Sequence, residues 1–376
     1  MSLHIYGGNN MPTVSNDANI LMDMLKKTAP GTALREGLEN VLRANTGGLI
    51  VIGDIAKIKP LMKGGFDIDA DYSPAHLYEL AKMDGAIIVS EDVKKIFCAN
   101  THLMPDANVP SSETGIRHRT AEQTARQTGA LVICISQRRR VISLYKGSFK
   151  YVLKDITVLL NTANQALGTL EKYKDVLEDA LLRLSVQEFD NVVTLPDVLQ
   201  VIQRAEMFKR VERMLRLYLT ELGEESRLIR MQAEELCNNV ELDEMLTIRD
   251  YMIPDDKKSE GERVEEYIQR LARFDNEQLL DLDLLARCLN LNEFAEKDKR
   301  IVLQPRGYRV LNKISRLPNN VIENMVEVFG TLQSVIVATN EELDDVEGIG
   351  PARVAQITVG LERIRSQLIM DSNWVK

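Results

Sequence analysis

Two kinds of hydrophobic patterning divide this chain. Up to about residue 147, short apolar runs alternate with stretches of helical period; beyond residue 151 only the helical period remains. Helical spacing over 21–27 and 33–42 is interrupted at Pro30-Gly31, and Thr32 can cap the second stretch. The apolar run at 48–53 lies between turn residues and predicts a buried strand. Ser73-Pro74 opens the next helix, serine as N-cap and proline in its first turn, and the pattern ends near Lys82. A strand follows over 83–90 with Asp84 at its mouth, and Glu91-Asp92 turns the chain into 95–99. Residues 100–116 read as a long loop holding Pro105, Pro110 and Gly115, and a loop of that length inside a compact domain is more often functional than idle. Helix-forming residues at 121–127 precede buried strands at 130–136 and 141–145, joined by a turn at 137–140. Alternating helices and strands predict an α/β domain with a mixed sheet over 17–147, behind a flexible tail at 1–16.

From 148 to 300 the pattern predicts an all-α spacer domain. Leu153, Ile156, Leu159, Leu160, Ala163, Leu167 and Leu170 recur at helical spacing, and further helices are expected over 195–222, 224–247 and 265–290. The segment 254–262 is polar and expected to be exposed, and no side-chain cluster in the spacer suggests chemistry. Residues 301–376 break into shorter helices around Val346-Glu347-Gly348-Ile349-Gly350-Pro351. Glycines there permit a tight turn, and Pro351 suits the first turn of a second helix. This is the helix-hairpin-helix pattern, whose turn can offer backbone N–H groups to a DNA phosphate through Gly348, Ile349 and Gly350, with Arg353 beside them. A purely structural hairpin has the same pattern, and Asp344, Asp345 and Glu347 make this one locally acidic. Upstream, 316–321 resembles a degenerate first copy without the glycines.

Composition narrows the class. A chain of 376 residues suits two or three domains. A formal charge of −9 argues against nucleic-acid binding by the whole surface and leaves room for one local element. Cys98, Cys134, Cys237 and Cys288 are far apart and read as buried small hydrophobes of a reduced, cytoplasmic protein. His4, His76, His102 and His118 show no metal-ligand spacing. No apolar run is long enough for a bilayer, and the first residues lack the character of a signal peptide.

The candidate chemistry centres on Gly115-Ile116-Arg117-His118-Arg119-Thr120. A glycine turn feeding a helix start aims N–H groups and the positive dipole end at an anion, and arginine forks match phosphate oxygens. A solvated basic turn has the same composition. Asp84, followed by the unobstructing Gly85, is a candidate for holding a divalent metal against phosphate or taking a proton from a sugar hydroxyl. Carboxylate, metal and basic donors together suit transfer at phosphorus. Neither a P-loop nor a dinucleotide-binding glycine motif is present.

Asp84-Gly85-Ala86 followed by Arg117-His118-Arg119 resembles the paired motifs of diadenylate cyclase domains. The order of parts extends the likeness, over essentially all of the chain after the tail, to the DNA-integrity-scanning diadenylate cyclases. The resemblance implies condensation of two ATP into cyclic di-AMP with release of two pyrophosphates, a Mg2+ or Mn2+ cofactor, and an octamer whose catalytic domains meet face to face. It also implies branched DNA as a partner that restrains synthesis in a DNA-damage checkpoint. By the same resemblance Asp84 binds metal and helps activate the attacking 3′-hydroxyl, while Gly85, Ala86 and Leu103 line the nucleotide, Leu103 near the base. Ile116, Arg117, His118, Arg119 and Thr120 hold phosphates, and Ser136 completes the ATP site. Ile116 departs from the family pattern, which carries threonine there, so a hydroxyl donor is lost while the backbone N–H remains. Arg138 and Arg139 either gate ATP entry or sit on a solvated hairpin. The alternative function is a branched-DNA-binding protein whose nucleotide domain only senses ATP or cyclic di-AMP.

Overall fold

The computed structural model describes residues 14–253, 259–291 and 302–374. These form two compact units: the first runs to Gln165 and takes in Leu215–Met231, and the second holds Ala166–Met214 and the chain from Gln232 onward. The tail expected over 1–16 lies outside the described residues as far as 13, and helix α1 already begins at Val14.

In the first unit, the runs of unbroken hydrophobicity become central strands. Strands β1 (Gly48–Ile52), β4 (Ala86–Val89) and β6 (Leu131–Ser136) are flanked by β2 (Met62–Lys63), β3 (Phe66–Asp71), β5 (Lys95–Leu103), β7 (Val141–Lys146) and β8 (Phe149–Val152). The sheet order is β2-β5-β4-β1-β6-β7-β8, with β3 also paired to β5. Among the described residues only β1 and β4 pair in parallel, Leu49 opposite Ala86, while β6 runs antiparallel to β1. Strands buried on both faces need cover on both. Helices α1 (Val14–Thr28), α2 (Ala33–Arg43) and α4 (Pro74–Leu80) bury Met24, Leu34, Leu38 and Leu77 against Ile50, Ile87 and Ile133. Helix α5 (Ile116–Thr128) and the short α3 (Ile55–Ile58) cover the other face, where Ala121 and Ala125 meet Val51, Val132 and Tyr145. Thr32 and Ser73 cap α2 and α4 as expected, accepting from Arg35 N and His76 N, each at 3.1 Å.

Three features differ from the sequence reading. The sheet does not close near 147: β8 follows a Gly147-Ser148 turn and pairs with β7, since Phe149-Lys150-Tyr151-Val152 alternates like an edge strand. Strand β5 runs on to Leu103, so the long loop begins at 104; Asn100, at φ 54°, puts an irregularity into a strand that sequence alone ends there. The polar β3, Phe-Asp-Ile-Asp-Ala-Asp, has no apolar run to announce it and is held by pairing with β5.

The helical stretches are also more divided than their periodicity. Helices α6 (Ile156–Asp190) and α7 (Leu195–Leu222) are long, but 224–247 splits into α8 (Arg227–Cys237) and α9 (Val240–Tyr251), where Asn239 takes φ 66°. The helix expected over 265–290 is three: α10 (Glu260–Leu271), α11 (Asn276–Leu280) and α12 (Leu282–Cys288). Asp275 and Asp281 each cap a new start, and such side chains favour caps over helix interiors. Of the polar segment 254–262, residues 254–258 lie outside the described residues, as does the boundary at 300. Cys98 and Cys134 are buried, whereas Cys237 and Cys288 are only partly so. Among the described residues no helix is long and apolar enough to cross a membrane.

The chain after 302 folds as two helical hairpins, Tyr308–Asn312 with Asn319–Phe329 and Asn340–Asp344 with Pro351–Trp374. Leu311, Ile314 and Met325 of the first share a core with Leu343, Val346 and Ile357 of the second. Asp250 of α9 holds the first hairpin's opening helix, accepting from the backbone N–H groups of Gly307, Tyr308 and Arg309 at 2.8, 2.7 and 3.0 Å. Arg309, fully buried, pairs with the equally buried Glu188 of α6 and donates to Ser185 Oγ at 3.0 Å. Removing one member of a buried charge network strands the others. Asp250→Ala is therefore expected to lower unfolding free energy by about 3 kcal/mol, read as a lower midpoint in chemical denaturation with an unchanged slope.

Candidate active site

The site grows out of the strand register. Leu49 pairs with Ala86, so Gly47 and Asp84, each two residues upstream, stand level at the head of parallel strands. Ala86 also pairs with Thr101 on β5, which brings Leu103 to the same level from the other side. Gly48 pairs with Ile135, which sets Ser136 and the turn 137–140 at this end too. Above them begins α5, with Gly115 as N-cap and no side chain spent on capping, so the orphan N–H groups of the first turn face outward.

Two glycines make the approach possible. A β-carbon on Gly85 would lie 2.2 Å from Asn100 C and 2.6 Å from Thr101 N, so any side chain there forces β4 and β5 apart. The Gly85 N–H instead donates to Asn100 Oδ1 at 3.2 Å. A β-carbon on Gly47 would lie 2.1 Å from Arg117 Nη1, so the guanidinium rests directly over that glycine. From there it reaches Asp84 Oδ1 at 3.6 Å, and the Asp84 carboxylate is otherwise fully exposed. An exposed pair of this kind adds little stability. Its consequence is chemical: an unburied carboxylate beside a half-exposed guanidinium can take a cation and a polyanion side by side.

His118 sits in the first turn of α5, half-buried. Its Nδ1 lies 2.9 Å from the Tyr145 hydroxyl, which donates to Glu113 Oε1 at 2.9 Å, and Lys150 Nζ donates to the same oxygen. Burial pushes the His118 imidazole below its ordinary value; Glu113 pulls the other way, and the charges of Arg139, Lys150 and Arg117 add to the lowering. Burial would raise the Glu113 carboxyl, but hydrogen bonds from Lys150 and Tyr145 and the charges of Lys150 and His118 hold it below its ordinary value. The loop before α5 is tied to that helix. Buried Glu122 accepts from Ser111 Oγ at 2.7 Å and Ser112 N at 2.9 Å, and Gln123 donates to Val109 O at 2.8 Å.

Comparison with known proteins adds a second kind of observation. Residues 35–149 match the family model described as the DisA bacterial checkpoint controller nucleotide-binding domain, and residues 153–297 match that of the DisA bacterial checkpoint controller linker region. The chain is 56% identical over 344 residues to the DNA integrity scanning protein DisA of Carboxydothermus hydrogenoformans, covering 91% of this chain and 96% of that one. It is 52% identical over 357 residues to the DisA of Clostridium tetani, covering 95% and 97%. This chain belongs to the DisA family. A crystal structure of a double mutant of DacA from Staphylococcus aureus aligns with 37% of the chain and 89% of its own at 21% identity and a TM-score of 0.28, too slight a likeness to carry an argument.

Within this DisA-family chain, the structure gathers Asp84, Gly85, Leu103, Arg117 and Ser136 at one end of one sheet. Leu103 is 8% exposed and packs in the core beneath α5, and Ala86 is 1% exposed. Ile116 opens α5 with its side chain 86% exposed, Arg119 projects outward, and Thr120 is half-buried. Arg138 and Arg139 are exposed on the β6–β7 turn, where Ser136 Oγ accepts from Arg139 N at 3.2 Å. Among the described residues no group of three or more histidines, cysteines or carboxylates could hold a metal. Asp84 alone fits a cation of the Mg2+ type, which takes one carboxylate and completes its shell with phosphate oxygens and water.

Gly348, Ile349, Gly350 and Arg353 belong to the second unit. Gly348 takes φ 85°, Ile349 is buried at 8%, and the Arg353 guanidinium donates to Gly348 O within its own hairpin. Sequence reasoning missed Tyr145, Glu113, Lys150 and Asn100. Tyr145 carried the one available signal, a phenol in a mostly buried strand whose hydroxyl must find partners. Gly85→Ala is expected to destabilise the first unit by about 3 kcal/mol, because backbone atoms and no flexible side chain occupy the space its methyl needs. Thermal unfolding monitored in that variant checks it.

Proposed function

We propose that this chain is a diadenylate cyclase that condenses two ATP into cyclic di-AMP and two pyrophosphates. The observation that carries the reading is the side-by-side placement of exposed Asp84 and Arg117 beneath the open N-terminus of α5. Mg2+ or Mn2+ held by Asp84 with substrate phosphates would supply charge neutralisation and lower the pKa of a coordinated hydroxyl. Arg117 and Arg119, with the first-turn N–H groups, hold the triphosphate and take up charge that develops on the leaving pyrophosphate. Gly85 lets β5 close against β4 and so sets the height of Asp84 beside the nucleotide, Ser136 lies level with Asp84 across β1, and Arg138 and Arg139 border the entrance. Ile116 contributes only its N–H, so phosphate binding leans on the arginines.

Each linkage of cyclic di-AMP requires a 3′-hydroxyl aimed at the other nucleotide's α-phosphate. One chain has one Asp84 and one Arg117-His118-Arg119. Two protomers facing each other across a two-fold axis make both attacks equivalent and replace a bimolecular encounter with a positioned one, worth up to roughly 7–11 kcal/mol. An octamer built from such pairs, in the cytoplasm, is the assembly this reading expects. The residues after 301 act as a helix-hairpin-helix domain whose Gly348-Ile349-Gly350 turn and Arg353 meet the phosphates of branched DNA, and DNA engagement restrains synthesis as part of damage surveillance.

Incubation of the protein with ATP and Mg2+ or Mn2+, followed by mass spectrometry, tests the activity; ATP bound without cyclic product would leave a nucleotide sensor instead. Asp84→Asn keeps shape and removes charge, so turnover should fall at least about tenfold, a barrier increase of roughly 1.4 kcal/mol or more, with ATP still bound. Replacing both Gly348 and Gly350 by alanine should weaken binding to a branched duplex and leave DNA-free synthesis unchanged. A gel-shift titration paired with the cyclase assay reads both.

A further inference from the structure

The polar chain behind His118 has a direction. Glu113 is held below its ordinary value and is ionised at neutral pH, so its carboxylate only accepts. Tyr145 has a single hydroxyl proton, and it goes to Glu113 Oε1 at 2.9 Å. Lys150 donates to the same oxygen and cannot return a proton to the phenol. The phenol oxygen therefore meets His118 Nδ1, at 2.9 Å, as an acceptor. A neutral imidazole can satisfy that contact in only one of its two tautomers, the one carrying hydrogen on Nδ1.

We infer that Tyr145 and Glu113 are positioning residues that hold neutral His118 as the Nδ1–H tautomer, leaving an Nε2 lone pair to accept a proton in the nucleotide site. Among the described residues Nε2 has no protein partner. The ring is fixed from behind in the way a carboxylate orients a catalytic imidazole, here with a tyrosine between them. Tyr145 is fully buried, and its ring stands edge-on to the imidazole with centroids 6.3 Å apart, so the relay cannot swing aside into solvent. The groups that set the charge of the ring are Glu113 from the loop, Arg117 on α5, Arg139 on the β6–β7 turn and Lys150 on β8. Burial and the three cations outweigh Glu113, which keeps the resting imidazole neutral. A proton taken up at Nε2 turns the ring into a cationic donor beside Arg117 and Arg119. In the cyclase reading, on which only this consequence rests, the proton comes from the attacking 3′-hydroxyl as its oxygen bonds to phosphorus and pyrophosphate leaves with the electrons of the broken P–O bond.

Full-length protein labelled with 15N-histidine gives four imidazoles to resolve, and the set lost in His118→Asn assigns the relevant one. Magic-angle-spinning NMR, at a pH where the ring is neutral, should show a pyrrole-type Nδ1 and a pyridine-type Nε2 in the wild type. Tyr145→Phe removes the acceptor, and Glu113→Ala frees the phenol proton to point at Nδ1. Either variant should move His118 toward the Nε2–H form, and cyclic di-AMP turnover should fall at least about tenfold with ATP affinity retained. A wild-type ring protonated on Nε2, or both folded variants keeping the wild-type pattern, would overturn the assignment. The expected tautomer pattern in a protein that makes no cyclic di-AMP would uphold the relay and defeat the cyclase reading, so the two fail separately.

Discussion

The arrangement of the first unit depends on one pairing, the parallel contact of β1 with β4. Among the described residues every other neighbour in the sheet is antiparallel, so this is the one place there where two strand heads stand side by side. Parallel strands need a crossover, and the stretch from α3 through α4 supplies it. The consequence is that Gly47 and Asp84 lie level and adjacent. Arg117 then descends onto a surface with no side chain at one position and a carboxylate at the next. A residue with a β-carbon at 47 would lift the guanidinium, and one at 85 would push away the strand that sets Asp84's height. The chemistry of the site thus rests on two missing methyl groups and a register.

Around that point the protein maintains two electrostatic environments, one at Asp84 and one at His118. Asp84 is left exposed to water, with the Arg117 guanidinium 3.6 Å away. His118 is drawn half under the loop, where burial and three neighbouring cations disfavour its charged form. Helix α5 serves both: Arg117 of its first turn reaches Asp84, and His118 beside it turns Nδ1 to Tyr145. Its first turn is open to solvent and uncapped by any side chain, while its middle is buried and anchors the loop through Glu122 and Gln123. Anchoring matters because Glu113 lies on that loop. Without the bonds from Glu122 to Ser111 and Ser112, the carboxylate behind Tyr145 would belong to a mobile segment and could not hold a direction of hydrogen bonding.

Much of this was legible before any coordinates. Unbroken apolar runs marked β1, β4 and β6, and Thr32 and Ser73 marked their helices, because burial on two faces and capping are local signals. The pairing of Asp84-Gly85-Ala86 with Arg117-His118-Arg119 pointed to the site, and the register brings Asp84 and Arg117 within 3.6 Å. What stayed hidden is non-local or runs against local preference. Strand β3 alternates aspartates with small or apolar residues and owes its form to β5. Asn100 bonds to Gly85 across the sheet, and nothing around it in sequence says so. The Glu113–Tyr145 contact spans 32 positions and depends on where a loop lands. Helical period also carried too far: it ran through Asn239 and Asp275, where left-handed backbone or a side-chain cap ends one helix and starts another.

The second unit shows how one fold element can be kept for packing in one copy and left bare in the other. The two hairpins superpose in sequence, Leu311 on Leu343, Ile314 on Val346, Leu317 on Ile349 and Met325 on Ile357, and all eight residues are buried. Their mutual support is reciprocal. The Asn324 amide donates to Glu347 O at 2.9 Å, and the Gln356 amide, at the matching position, donates to Ser315 O. Each hairpin thereby fixes the other's turn, which explains why the first persists without glycines. It accepts the strain: Arg316 takes φ 63° where Gly348 takes 85°. Its turn then continues with Pro318 at the place of Gly350, and proline has no N–H to give. A β-carbon on Gly350 would meet nothing within 4 Å, so the second turn presents bare backbone that packing does not require. A glycine that no neighbour demands, beside one that the backbone angle does demand, separates the two roles. Of the two turns, only the second leaves its main chain free of a side chain at this position, and the first holds it in shape through Asn324.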